Sequence, residues 1–213
     1  MSAAIDPATL LRPGLLEGVS VLLAGADGTR AAAIGETLGD LGAQVAPWRA
    51  AGSASVTPAT FAAPATSAGS STELPYDAAA AKVGLLVVDA AEIFVASPED
   101  ALRVSLEVSW EATQEVATAA FIEPGRPGRI LYIAPAPDAG THADGARAGL
   151  ENLARTLSIE WARYAITTVA IALGSQTADA EVVTLLAYLA SPAGAYFSGC
   201  QLDLRGLAGA GTV

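Results

Sequence analysis

The sequence has 213 residues, 52% of them apolar and 15% charged, with a formal net charge of -11 and a pI near 4.4. That length suits one domain with a full core. The acidity excludes nucleic acid, whose phosphates need a basic face, and disfavours anionic membrane surfaces. One cysteine, Cys200, cannot form an internal disulfide, and one histidine, His142, cannot build a zinc site, so no metal is expected. The start, "MSAAIDPATLLRPG", lacks the basic and apolar regions of a signal peptide. The most apolar windows, "VSVLLAGA" and "VGLLVVDAA", fall far below the roughly 20 residues of a membrane span, so the cytoplasm is the expected location.

"VSVLLA" (19–24) is a short apolar run ending in "GADG", and Thr29–Leu41 has helical period with Ala33, Ile34, Leu38 and Leu41 on one face. "GAQVAPW" reads as a second buried strand, and this order opens a parallel α/β sheet. Residues 50–72 are almost entirely Ala, Ser, Thr, Pro and Gly without period, which predicts a mobile surface loop. "VGLLVVDAA" is a strand buried on both faces. Ser97-Pro98-Glu99-Asp100 reads as a helix start, with a cap, an N1 proline and acids in the first turn, and that helix runs to about Ile122. "GRILYIA" is a strand, Gly145–Tyr164 a helix, "ITTVAIALG" a strand, Ala180–Ala190 a helix and "GCQLDLRG" the last strand. The alternation predicts a single α/β domain over residues 1–213, a doubly wound parallel sheet of Rossmann type with helices on both faces.

Four segments in this order resemble the short-chain dehydrogenase/reductase family: "LLEGVSVLLAGADGTRAAAIGETLGDLGAQV", "GRILYIA", "ARAGLENLARTLSIEWARYAITTVAIALG" and "LLAYLASPAGAYFSGCQLDLRG". The resemblance implies a nicotinamide cofactor, oxidoreductase chemistry and an oligomer packed through two long helices. It also implies a catalytic tetrad of asparagine, serine, tyrosine and lysine. Aligned on the frame, those positions hold Ser105, Pro135, Ala143 and Arg147. Proline and alanine have no proton to transfer, and a guanidinium stays protonated, so the family's general acid–base chemistry has no agent. The remaining candidate polar centre is His142 with Arg147, together with Thr141 and Asp144; histidine has the right ordinary pKa for proton transfer, while a solvated loop is the other reading.

The family's glycine turn, G-x-x-x-G-x-G, brings backbone against the cofactor pyrophosphate at a helix N-terminus. Here Gly25 matches the first glycine, Thr29 and Ala31 stand at the other two, and Gly28 is displaced by one residue. Asp89 lies where the family has an asparagine stretch and would put negative charge near the cofactor. Arg49, at the end of the second strand, could join Arg30 to receive a 2′-phosphate; two ordinary surface arginines are the alternative. The cofactor expectation is therefore none, or weak NADP binding.

The segment after "ALG" passes through "SQTAD" directly into a helix, without the family's substrate lid, which leaves water poorly excluded. Helices 97–122 and 145–164 keep apolar residues, including Leu102, Leu106, Val108 and Trp110, and Leu150, Leu153, Leu157 and Trp161. These face the sheet or an oligomer partner. The sequence reading is a non-catalytic structural or regulatory subunit, pairing with itself or with an active paralogue. The alternatives are a divergent NAD(P)-dependent oxidoreductase and an NADP-binding sensor.

Overall fold

A computed structural model describes residues 11–49 and 83–205, and the predicted 50–72 loop lies outside them. The strands are β1 (Ser20–Ala24), β2 (Gln44–Pro47), β3 (Val83–Asp89), β4 (Gly128–Ala134), β5 (Ile166–Ala172) and β6 (Cys200–Asp203). They form one sheet in the order β2-β1-β3-β4-β5-β6, and every pairing is parallel. The helices are α1 (Thr29–Asp40), α2 (Ala90–Ala96), α3 (Ala101–Val116, extended by a π-helical turn at Ala117–Ile122), α4 (Ala143–Glu160) and α5 (Asp179–Ala190).

Strand sequences explain why both faces are covered. Successive side chains point to opposite faces, and in β3 that sends Leu85 and Val87 into one core and Leu86 and Val88 into the other. The first core is closed by Ile34 and Leu38 of α1 and Val182 and Leu186 of α5. The second is closed by Ala112 and Val116 of α3 and Leu150 and Ala154 of α4. A strand that must be apolar on both sides cannot alternate with polar residues, so the runs are continuous.

The helix α3 approaches the sheet closely because the residues it buries are small: Ala101, Ser105, Ser109, Ala112 and Thr113. Its hydroxyls are satisfied internally. Ser109 donates to the Ser105 carbonyl (2.6 Å), and Thr113 shares a hydrogen bond of 2.9 Å with the Tyr132 hydroxyl. Burial raises the Tyr132 pKa above that of an ordinary phenol. Beside this stripe, α3 packs on α4, where a Cβ on Gly145 or Gly149 would meet Leu102 or Leu106 respectively. The leucines thus spend much of their apolar surface on the neighbouring helix rather than on the sheet.

Three expectations need correction. The strand β2 is an edge, with Gln44 exposed and the rest half-buried, because only β1 pairs with it. The helix expected from Ser97 begins at Ala101, and Ser97 instead closes α2, a helix the sequence reading missed. The physical reason is Asp89, whose carboxylate accepts the Glu92 N–H (3.0 Å) and starts α2 directly at the end of β3. The helix expected from Gly145 begins two residues earlier, at Ala143, and ends at Glu160 before a 3-10 turn, Ala162–Tyr164. Among the described residues no helix is long and apolar enough to cross a membrane.

Tyr132→Phe is expected to lower stability by about 1 kcal/mol, because the Thr113 hydroxyl loses its buried partner. Chemical denaturation measures this, and an unchanged midpoint would show that the pair contributes nothing.

Candidate functional site

The order of strands reverses between β1 and β3: the chain winds outward to β2, then crosses back to β3 on the other side of β1. In open α/β sheets, ligands bind at such a switch point, outside the carboxyl ends of the strands. Here the carboxyl end of β1 leads through Gly25 to the N-terminus of α1, and that of β3 is Asp89.

Gly25 takes a left-handed conformation, φ +80°, and a Cβ there would lie 2.7 Å from the Asp89 carbonyl oxygen. Gly28 precedes α1 in extended conformation. A Cβ on Gly28 would meet the Glu92 carboxyl. Gly25 therefore makes room for the β3–α2 junction, while Gly28 lies under the movable end of the Glu92 side chain. Thr29 and Ala31, at the other two glycine positions, are the first and third residues of α1, and Ala31 is buried against the sheet.

Arg30 lies between them and reaches across the crevice. Its Nη1 donates to both carboxylate oxygens of Asp89 (3.0 and 2.9 Å), and its Nε donates to Asp179 at the start of α5 (2.7 Å). The Asp89 side chain is 1% exposed and that of Asp179 is 41% exposed. Burial pushes the Asp89 carboxyl above the usual carboxylate range, against the pull of Arg30 and the Glu92 N–H. Burial also works to lower the Arg30 pKa, but Asp89 and Asp179 outweigh it and leave the guanidinium raised. One side chain thus ties α1, the β3–α2 junction and α5 together.

No contact joins Arg30 to Arg49 among the described residues. Arg30 is committed to Asp89 and Asp179, while Arg49 is half-buried beyond β2 and forms no ion pair among the described residues. Asp89, expected as an unhelpful charge near a cofactor, has a structural partner that the sequence did not reveal.

The four residues that the resemblance aligns with the tetrad are Ser105, Pro135, Ala143 and Arg147. Ser105 is buried and donates to the Leu102 carbonyl within its own helix (3.1 Å). Pro135 follows β4. Ala143 is buried in a small cluster with Phe94, Ala101 and Ala146. Arg147 is 6% exposed, and its Nη1 donates to the Pro135 and Leu173 carbonyls, joining the ends of β4 and β5. Burial, with help from nearby Arg205, lowers its pKa, while Asp203 and Asp144 oppose the shift. His142 does not join it: the imidazole residue is exposed, at φ 68° just before α4, and Thr141 and Asp144 beside it are exposed too. No hydrogen bond links His142 to Arg147 among the described residues, so the two do not form one polar centre.

Sequence reasoning missed Glu92 and Asp179. For Glu92 a signal existed, since Asp89-x-x-Glu92 has the acidic spacing of a helix start. For Asp179 there was none, because its meeting with Arg30 spans 149 positions of sequence.

No protein-family model and no curated protein matches the sequence. The structure, however, superposes on a citronellol catabolism dehydrogenase of Pseudomonas aeruginosa PAO1 with a TM-score of 0.61 at 18% identity, over 91% of this chain and 96% of that one. An oxidoreductase of the short-chain dehydrogenase/reductase family from Brucella ovis, solved with a partially ordered NAD, gives 0.59 at 19% identity over 87% and 98%. The fold is that of the short-chain dehydrogenases/reductases. A third protein with this reductase fold, a putative NAD(P)-dependent gluconate 5-dehydrogenase of Beutenbergia cavernae with bound NADP, gives 0.60 at 22% identity over 90% and 96%.

The crevice residues of this chain are a poor match for a dinucleotide. At the turn where such a fold would set a pyrophosphate, the Glu92 carboxyl packs on Gly28, Asp89 lies behind it, and the adjacent guanidinium is already paired. The connection Leu173–Ala178 is also short and folded on itself, with Gly174 N–H donating to the Thr177 hydroxyl (2.8 Å).

Asp89→Ala is expected to cost about 3 kcal/mol, since it leaves part of a buried guanidinium unpaired. Asp100→Ala, which removes an exposed partner of Arg103, is expected to leave stability unchanged. Equal denaturation midpoints for the two variants would refute this ranking.

Proposed function

We propose that the chain is a non-catalytic subunit with the reductase fold, assembling with itself or with an active short-chain reductase in the cytoplasm and stabilising or regulating that assembly. The observation that carries the reading is the content of the tetrad positions. Pro135 and Ala143 have no exchangeable side-chain proton, Ser105 turns inward to a helix carbonyl, and Arg147 is held by two strand-end carbonyls. A carbonyl substrate held by these four residues would find no group among them able to give or take a proton.

The helices expected to carry the assembly support it further. On α3 the series Leu102, Leu106, Trp110 recurs every four residues, so it runs along one face. The two leucines meet α4, and Trp110, one turn on, is 43% exposed. On α4, Ile159 is 73% exposed. Large apolar side chains left in water on these two helices are the kind of surface a subunit contact covers.

A second reading, a divergent NAD(P)-dependent oxidoreductase or an NADP sensor, draws support from the cofactors bound in the Brucella and Beutenbergia structures. The oxidoreductase would have to work with exposed Thr141, His142 and Asp144. Under it, NADPH oxidation with some carbonyl compound is measurable and falls in His142→Ala.

Light scattering on the purified protein is expected to give a dimer or larger, and Trp110→Glu to shift it to monomer. NADPH oxidation across a panel of aldehydes and ketones is expected to stay at the blank rate. A monomer that also fails to bind active short-chain reductases in pull-down would overturn the assembly reading.

A further inference from the structure

We infer that the switch-point crevice is closed from within: the Arg30–Asp89–Asp179 ion-pair network, with Glu92 on the glycine turn, stands in place of a dinucleotide, so the chain completes its fold without NAD(P) and excludes it. The inference is independent of the assembly reading and rests on three observations.

The first is charge. A pyrophosphate entering at the N-terminus of α1 meets Glu92 beside Gly28, and Asp89 and Asp179 around one guanidinium, inside a chain whose net charge is already -11. Like charges at close range in a partly dry crevice repel strongly. The second is space. The Glu92 carboxyl fills the position beside Gly28 that would otherwise be open to a ligand, and a Cβ at Gly25 would strike the Asp89 carbonyl. The backbone approach that glycines give a phosphate is thus taken up by the protein's own β3–α2 junction.

The third is the commitment of Arg30. Two of the three guanidinium nitrogens are already engaged, Nη1 by Asp89 and Nε by Asp179, and turning the group toward a phosphate would unpair Asp89, whose side chain is 1% exposed and has no other cation as a partner among the described residues. Leaving a buried carboxylate unpaired is far more costly than breaking a surface pair. The arginine best placed to attract a dinucleotide is therefore the one least able to leave its partners. In joining α1, the end of β3 and α5, it supplies the tie between elements that a bound cofactor would otherwise supply.

The test is calorimetry of the full chain with NADH and NADPH, paired with thermal melts. No saturable heat up to about 1 mM nucleotide and no rise in Tm are expected, since a ligand that binds the folded state must raise Tm as its concentration passes Kd. Arg30→Ala is expected to lower the Tm of the ligand-free chain by several degrees, with Arg30→Lys recovering only part of the loss because a single ammonium cannot bridge both acids. Saturable binding of either nucleotide to the unaltered chain would overturn the inference, as would an Arg30→Ala variant as stable as the parent. A monomeric chain that captures no active short-chain reductase and binds no nucleotide would sink the assembly reading and leave this one standing.

Discussion

The geometry of the carboxyl edge depends on one guanidinium held between a buried acid, Asp89, and a partly exposed one, Asp179. A carboxylate as enclosed as Asp89 is tolerable only with a cation and further donors around it, and Arg30 and the Glu92 N–H supply them. Because Arg30 also holds Asp179, the positions of α1, α2 and α5 at the switch point are not independent. Gly25 follows from the same constraint, since the Asp89 carbonyl comes too close there for a Cβ.

Two more arginines serve as internal connectors. Arg147 donates to the carbonyls that follow β4 and β5. Arg129, at the base of β4, donates to the Leu189 and Ser191 carbonyls at the end of α5, where positive charge complements the helix dipole. Burial lowers the pKa of both, yet a guanidinium starts so high that it remains a cation. Each keeps one buried nitrogen without a hydrogen-bond partner. The chain has only 11 lysines and arginines against 22 acids, so turning three arginines inward makes the outer surface more acidic still. The arginine that replaces the expected lysine is thus better explained by carbonyls at two strand ends than by a lost tyrosine.

Much of the architecture was legible in residue order. Runs such as "VGLLVVD" and "ITTVAIA" have no polar face, so they had to be strands covered on both sides, and the structure pairs them in parallel. The helix face of Ile34 and Leu38 was legible from its period, and both are buried. The misjudged helix start at Ser97 shows the limit of local signals. Serine, proline and two acids fit a cap, but the chain was already helical from Ala90 because Asp89 caps α2.

What the sequence alone determined was the class of fold and the succession of strands and helices. Those follow from periodicity and residue type, which are local properties. What only the tertiary structure decided was where the charges meet. Arg30 and Asp179 lie 149 positions apart, and nothing in either neighbourhood announces the other. His142 and Arg147, five apart and seemingly a pair, are divided because the start of α4 leaves one exposed and turns the other under the strand ends. Proximity in sequence fixes a helix; proximity in space, set by the packing of distant elements, fixes a site.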